Sequence, residues 1–360
     1  LHRRRHSFPT RRSSDLPSVT HPSPKIPVRP LLLVSCLPFA APLAAQETAR
    51  ALDRAPHAAT ASPIDGTVRS SSRCTLPKTV LFDRPREGEL WALGTDWKAS
   101  FDPRGFTFLP FFGSEAPRNF PLRVELASVT VGGATLPLTA GEPQVAATTV
   151  RIDRGSFVET IATDLRQVEQ SFVFSQLPNR GAIAVDITMT SELSASPTAE
   201  GLRFANEHGA VGYEKAVAID ATGATLALAI EWDGDSAHIT IPAAFVERAK
   251  LPLVLDPILA TNPGVAPGQG QLQRLPDTAT LQSPDRALVV WQRQWSVTDQ
   301  DCFAEVLDGS LSYATGAPSV LDFTSLNWVE PRAASSANAR KFLVVAQIDE
   351  AALRRCHIEP

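Results

Sequence analysis

Apolar and polar residues alternate most cleanly at Ile183, Val185, Ile187 and Met189, which are interleaved with Ala184, Asp186, Thr188 and Thr190. A period of two places alternate side chains on opposite faces of a pleated strand, so the four larger residues should turn inward and Asp186 and Thr188 outward. Similar short runs recur from Leu76 onwards. Residues 122–131 and 134–138 flank Gly132-Gly133, which can adopt the positive φ that a tight hairpin needs. Residues 157–162 follow the Asp153-Arg154-Gly155 turn, and 214–219, 225–232 and 238–241 read as a three-strand meander joined by Asp- and Gly-bearing turns. Only 242–250 has helical spacing, with Pro242 tolerated in the first turn and Phe245 and Ala249 four apart. Leu253-Val254-Leu255, bounded by Pro252 and Pro257, reads as the strand that closes this unit, because proline has no N–H to give a ladder. Many short strands without alternating long helices predict a β-sandwich-like domain over 76–258.

Beyond this unit the pattern repeats. Residues 276–292 align without a gap on 331–347, a period of 55, sharing Pro276/Pro331, Ala279/Ala334, the basic pair Arg286/Lys341, a Leu-Val-Val triplet and Gln292/Gln347. Small sheets repeating at this spacing cannot bury both faces alone and stack on their neighbours, as the blades of a propeller do. Val289, Val290, Val344 and Val345 should then be central strand residues of two neighbouring sheets. Residues 259–272, with Pro263, Gly264, Pro267 and Gly268, read as a linker. The predicted fold is therefore all-β: a β-sandwich-like N-terminal domain followed by an incomplete β-propeller-type array over 273–360, of one repeat and part of a second.

Composition changes the picture mainly at the N-terminus. Thirty prolines and twenty glycines agree with many turns and few helices. Of 34 Lys and Arg, seven fall in residues 1–45, against one of 38 Asp and Glu. The remaining 27 bases and 37 acids leave a body of net charge −10, which repels phosphate backbones and anionic headgroups, so nucleic acid is not an expected partner. Residues 7–16 resemble the translation of a sequencing adapter, so 1–16 is set aside as artefact. Lys25 and Arg29 precede an uncharged run, 31–45, rich in Leu, Val and Ala, so 17–45 has the order of a secretory signal, and the apolar run itself is too short to span a bilayer. Leu33-Val34-Ser35-Cys36 resembles a bacterial lipobox, which offers lipid anchoring through Cys36 as the alternative to cleavage near Ala45. Residues 46–75 read as a disordered leader. The only methionine is Met189, so the reading frame is expected to be a fragment of a longer repeat protein.

The chemistry is sparse. His57, His208, His238 and His357 are far apart and lack ligand spacing, and no nucleophile elbow or phosphate loop occurs. His238 reads as a surface or half-buried strand residue. Asp299 and Asp301, with Asp308-Gly309 beyond, offer oxygen ligands of the kind calcium prefers, but without the loop glycine and closing glutamate they are expected in an exposed blade turn, as weak calcium candidates. Asp233, Asp235 and the pair Asp186 with Glu192 read as turn-flanking carboxylates. Cys74, Cys302 and Cys356 form an odd set in which Cys302 and Cys356 hold nearly equivalent repeat positions, so no bridge is assigned. Trp291, Trp295 and Trp328 could form a sugar-stacking platform, with core packing between sheets the favoured account.

Trp91-Ala92-Leu93-Gly94, Trp97-Lys98-Ala99, Gly201-Leu202-Arg203-Phe204, Tyr213, the 220–223 turn and Leu255-Asp256-Pro257 resemble the N-terminal domain found ahead of repeat arrays in large secreted bacterial proteins, and the repeats resemble bacterial propellers of the Leu-Val-Val-Trp type. This resemblance covers about half of the chain and implies architecture and location, with no catalytic residue. The expectation is a secreted or cell-surface, non-catalytic interaction or structural protein, with a protein or glycan partner and no transmembrane segment. Its alternatives are a periplasmic protein or outer-membrane lipoprotein, and the N-terminal part of an extracellular, glycan-active propeller enzyme whose active site lies in other blades.

Overall fold

The computed structural model describes residues 79–262, 271–312, 314, 319–348 and 353–358. The adapter-like, signal and leader segments, with Cys36 and Cys74, lie outside these residues. The first strands are β1 (Leu81–Asp83), β2 (Leu90–Leu93), β3 (Trp97–Asp102), β4 (Gly105–Pro110), β5 (Leu122–Val131), β6 (Ala134–Thr135), β7 (Gln144–Ala146), β8 (Thr149–Asp153) and β9 (Val158–Thr163). Then follow β10 (Gln167–Phe174), β11 (Ile183–Ser191), β12 (Ser194–Pro197), β13 (Gly201–Ala205), β14 (Ala210–Ile219), β15 (Thr225–Ala227), β16 (Ile230–Trp232), β17 (Ser236–Ile241), helix α1 (Ala243–Arg248) and β18 (Leu253–Asn262). The last are β19 (Leu272–Gln282), β20 (Asp285–Ser296), β21 (Asp299–Asp308), β22 (Ser319–Asp322), β23 (Trp328–Ser336), β24 (Lys341–Ile348) and β25 (Leu353–Ile358).

The chain is all-β, and its sheets are antiparallel. One nine-stranded sheet runs β1-β2-β3-β4-β5-β11-β17-β16, with β6 beside β5; a second runs β12-β13-β14-β18-β10-β9-β8-β7, with β15 beside β14. Their facing residues form one apolar core, including Val124, Val129, Ile183, Val185 and Ile187 from the first sheet and Val150, Ile161, Phe172 and Leu255 from the second. The alternation in β11 holds: Ile183, Val185, Ile187 and Met189 are buried while Asp186 and Thr188 are half-exposed. It survives a bulge opposite it, where Ala127 is the extra residue that lets Leu126 and Val129 both face inward. Gly132 and Gly133 take φ of 58° and 82° between β5 and β6, as the hairpin requires.

Two expectations are corrected here. Residues 225–232 are not one strand: β15 pairs with β14 and β16 with β17, so the run passes from one sheet to the other at Leu228-Ala229. The closing strand starts at Leu253 as expected but does not end at Leu255. β18 continues to Asn262 and lies between β10 and β14 in the middle of its sheet, with Pro257 inside it. The missing N–H is tolerated because β14 bulges opposite the proline, between Glu214 and Val217, where Lys215 takes a φ of 61°. A buried polar chain, Tyr213 Oη to Gln170 Oε1 (2.9 Å), Gln170 Nε2 to Glu159 Oε1 (2.7 Å) and Arg154 Nε to Glu159 Oε2 (2.8 Å), links β14, β10 and β9 with each of these groups paired.

The two repeats coincide at the level of register. Asp277 faces Val290 and Ala279 faces Leu288 across β19 and β20, just as Arg332 faces Val345 and Ala334 faces Leu343 across β23 and β24. Each first strand bulges at the same place, between Arg274 and Asp277 and between Val329 and Arg332, around a residue of positive φ, Leu275 at 49° and Glu330 at 53°. β20 and β24 are central in their sheets, so Val289, Val290, Val344 and Val345 occupy the expected positions. The sheets stack head to tail. Leu288 and Val290 of β20 pack with Phe342 and Val344 of β24, although the repeat equivalents of Leu288 and Val290 are Leu343 and Val345 on the other face of β24. The opposite face of β20, carrying Trp291, packs with Leu93 and Phe111 of the first unit. Cys302 and Cys356 are not equivalent, since Cys302 faces Gln292 and Cys356 faces Val344, the counterpart of Val289.

Candidate functional site

Trp97, Lys98, Ala99, Ser100 and Phe101 alternate along β3, with Trp97, Ala99 and Phe101 in the sandwich core. Lys98 therefore points out of the sandwich, where a lone strand would leave it in water. Here the third sheet, β19-β20-β21-β22, covers it completely. Its ammonium donates to Asp299 Oδ1 and Oδ2 (2.9 and 3.0 Å), to Asp301 Oδ1 (2.7 Å) and to the Thr324 carbonyl (3.0 Å), and both carboxylates are fully buried. Asn119 Nδ2 adds a 2.6 Å bond to Asp299 Oδ2.

Beside this cluster Trp295, also buried, has two cations against its ring: Lys98 Nζ at 4.8 Å and the Arg293 guanidinium at 5.0 Å. Arg293 donates to the Thr95 carbonyl (2.8 Å), while its Nε and Nη1 make no hydrogen bond. Burial draws the Arg293 guanidinium down to about 10. The junction is sewn further by Ser114 Oγ to the Gln294 carbonyl (2.7 Å), Gln294 Nε2 to the Ser114 carbonyl (2.7 Å) and Val297 N to the Ala116 carbonyl (2.9 Å). So closed a cluster offers no route for a substrate to Lys98 Nζ, which is 0% exposed. Its chemistry is that of a tie between the sandwich and the third sheet.

Asp299 and Asp301 thus come together, but not in an exposed turn. Both lie at the start of β21, which the first unit covers, and the Lys98 ammonium holds the position between them that a calcium ion would need. Among the described residues no group of three or more His, Cys, Asp or Glu side chains gathers to hold a metal. Burial pushes the Asp301 carboxyl up to about 7, helped by the Asp299 charge and opposed by Lys98 and Arg293. A carboxyl that binds its proton more tightly when folded than at its ordinary 3.8 favours the folded chain at low pH, and that contribution is lost as pH rises through about 7. The urea midpoint of the parent protein should therefore fall, relative to Asp301→Asn, between about pH 5 and pH 8. Identical pH slopes for the two proteins would rule out Asp301 as the source.

The other candidates separate. Asp186 and Glu192 do not meet: Glu192 forms a bidentate pair with Arg118, and Asp186 accepts from Ser128 Oγ (2.6 Å) and contacts His238 Nδ1 (2.7 Å). His238 is a partly exposed strand residue whose Nε2 meets Asp233 Oδ2 (2.9 Å), and these carboxylates raise its pKa. Asp308 closes its own turn through Ser310 and Ser312, and His208 stacks on Phe120. Trp295 and Trp328 are buried and Trp291 stacks on Phe303, so these rings pack the interior. Spacing does not single out Lys98 as a site, because a lysine between apolar strand residues carries no signal of burial.

Set against known protein families, curated proteins and solved structures, the chain matches no family model, no curated protein and no solved structure. Among the described residues no helix is long and apolar enough to cross a membrane.

Proposed function

We propose that the protein is a non-catalytic scaffold, secreted or displayed at the cell surface, in which the β-sandwich caps and anchors an array of propeller-type repeats that engages a protein or glycan partner. The observation that carries this reading is the head-to-tail stacking of two sheets with the same register, bulge and left-handed residue. The sandwich stands to the first sheet as the first sheet stands to the second, which is the role of a capping unit in a repeat array. Continued in the same sense, the half-buried Leu343 and Val345 receive the next sheet of a longer protein. The Lys98 cluster fits this role, because it fixes the orientation of the first sheet on its cap.

Display is tested on intact cells with a membrane-impermeant amine-reactive label. Exposed Lys215 and Lys250 should be modified without lysis. Modification only after lysis would overturn the extracellular assignment.

A further inference from the structure

Next to the covered row of Leu93, Lys98 and Leu109, the outer face of the first sheet carries a second row: Trp91 faces Ser100, and Ser100 faces Thr107. The third sheet covers this row only in part: Trp91 packs against the cluster around Phe303 and Phe323, and all three residues stay half-buried. Two cavities, of about 340 and 450 Å3, lie along it and share Trp91, Ser100 and Ser325 in their walls. Side by side they form a groove lined from both the sandwich and residues 298–326, and such a junction is a usual place for a ligand.

Its chemistry is specific. One indole is surrounded by hydroxyl, amide and carboxylate groups, and the cations are already neutralised: Arg86 by Glu89 at 3.4 Å and Arg118 by the bidentate Glu192. Asp322, 3% exposed, lines the first cavity, with Oδ1 held by the Thr324 amide (2.9 Å) and hydroxyl (2.7 Å). A polyanion would find no unpaired positive charge here, and a peptide adding a strand would need an open sheet edge, whereas this row crosses the sheet. A pyranose suits it, since its apolar C–H face can lie on the indole while its rim of hydroxyls bonds to planar polar side chains.

We infer that the groove along Trp91, Ser100 and Thr107 binds a neutral oligosaccharide. The inference rests on the groove alone and stands whether or not the repeats form a propeller. The full chain is titrated with cello-, xylo-, chito- and maltohexaose, followed by calorimetry and indole fluorescence. At least one should bind saturably with one site per chain, and Trp91→Ala should weaken that binding by about tenfold or more. Ser325→Arg, at an exposed loop position shared by both cavities, should do the same while leaving the urea midpoint at the parent value, which separates a blocked groove from a misfolded one. No saturable binding of any of the four up to roughly 10 mM, binding that survives both substitutions, or binding only of an anionic chain such as polygalacturonate would overturn the inference.

Discussion

Replacing Lys98 with methionine is expected, above the Asp301 pKa of about 7, to cost about 3–5 kcal/mol of stability, the usual penalty for removing one partner of a buried ion pair. The stem can still be filled, so the loss comes from charge: Asp299 and Asp301, both fully buried, would keep Asn119 and the more distant Arg293 but lose the ammonium bonded to both. Removing all three charges together, in Lys98→Met, Asp299→Asn, Asp301→Asn, should recover part of the deficit, because no unpaired carboxylate is left buried, while Arg293 keeps Asp96 as its counter-charge. Urea unfolding monitored through the tryptophans reads both proteins. The single variant should release the third sheet from the sandwich at lower urea than the parent. A Lys98→Met midpoint equal to the parent's, or a triple variant as weak as the single one, would show that the cluster does not hold the junction.

Ile187→Asp is expected to unfold the sandwich outright. Ile187 is fully buried in the core shared by the two large sheets, among apolar neighbours. A carboxyl there has no partner in either form, so its burial, ionised or protonated, together with the lost apolar packing takes up most of the roughly 5–15 kcal/mol that holds a domain together. The next residue is the control. Thr188 is half-exposed, with its hydroxyl 3.4 Å from that of Ser236, so Thr188→Asp should change the midpoint by about 0.5 kcal/mol or less. Circular dichroism and thermal melts of the two variants should differ as an absent and a normal transition. Comparable melts would mean that the face of β11 turned to the core is not the one described.

The strands of the first unit were legible where the signal is local. Alternation over 183–190, the paired glycines at 132–133 and the short helix before Leu251 each depend on neighbours in the chain. The repeat was legible too, because a period of 55 is a property of the string, and the matching bulges at Leu275 and Glu330 are its backbone counterpart.

What the string alone could not decide was how the outer faces of these strands would be used. Alternation sends Lys98 outward, but whether outward means water or the third sheet depends on docking between residues about 200 positions apart, such as Lys98 and Asp299. The same holds for Asp299 and Asp301, read as turn residues and found buried, and for the split of 225–232 between two sheets. Pro257 shows the reason in one position: its missing N–H argued for a strand end, and a bulge at Lys215 on a distant strand accommodated it in the middle of a sheet. Local sequence determined which segments form strands and which side chains share a face; the tertiary structure decided what each face meets, because burial and charge pairing are set by groups that come together only when the sheets pack.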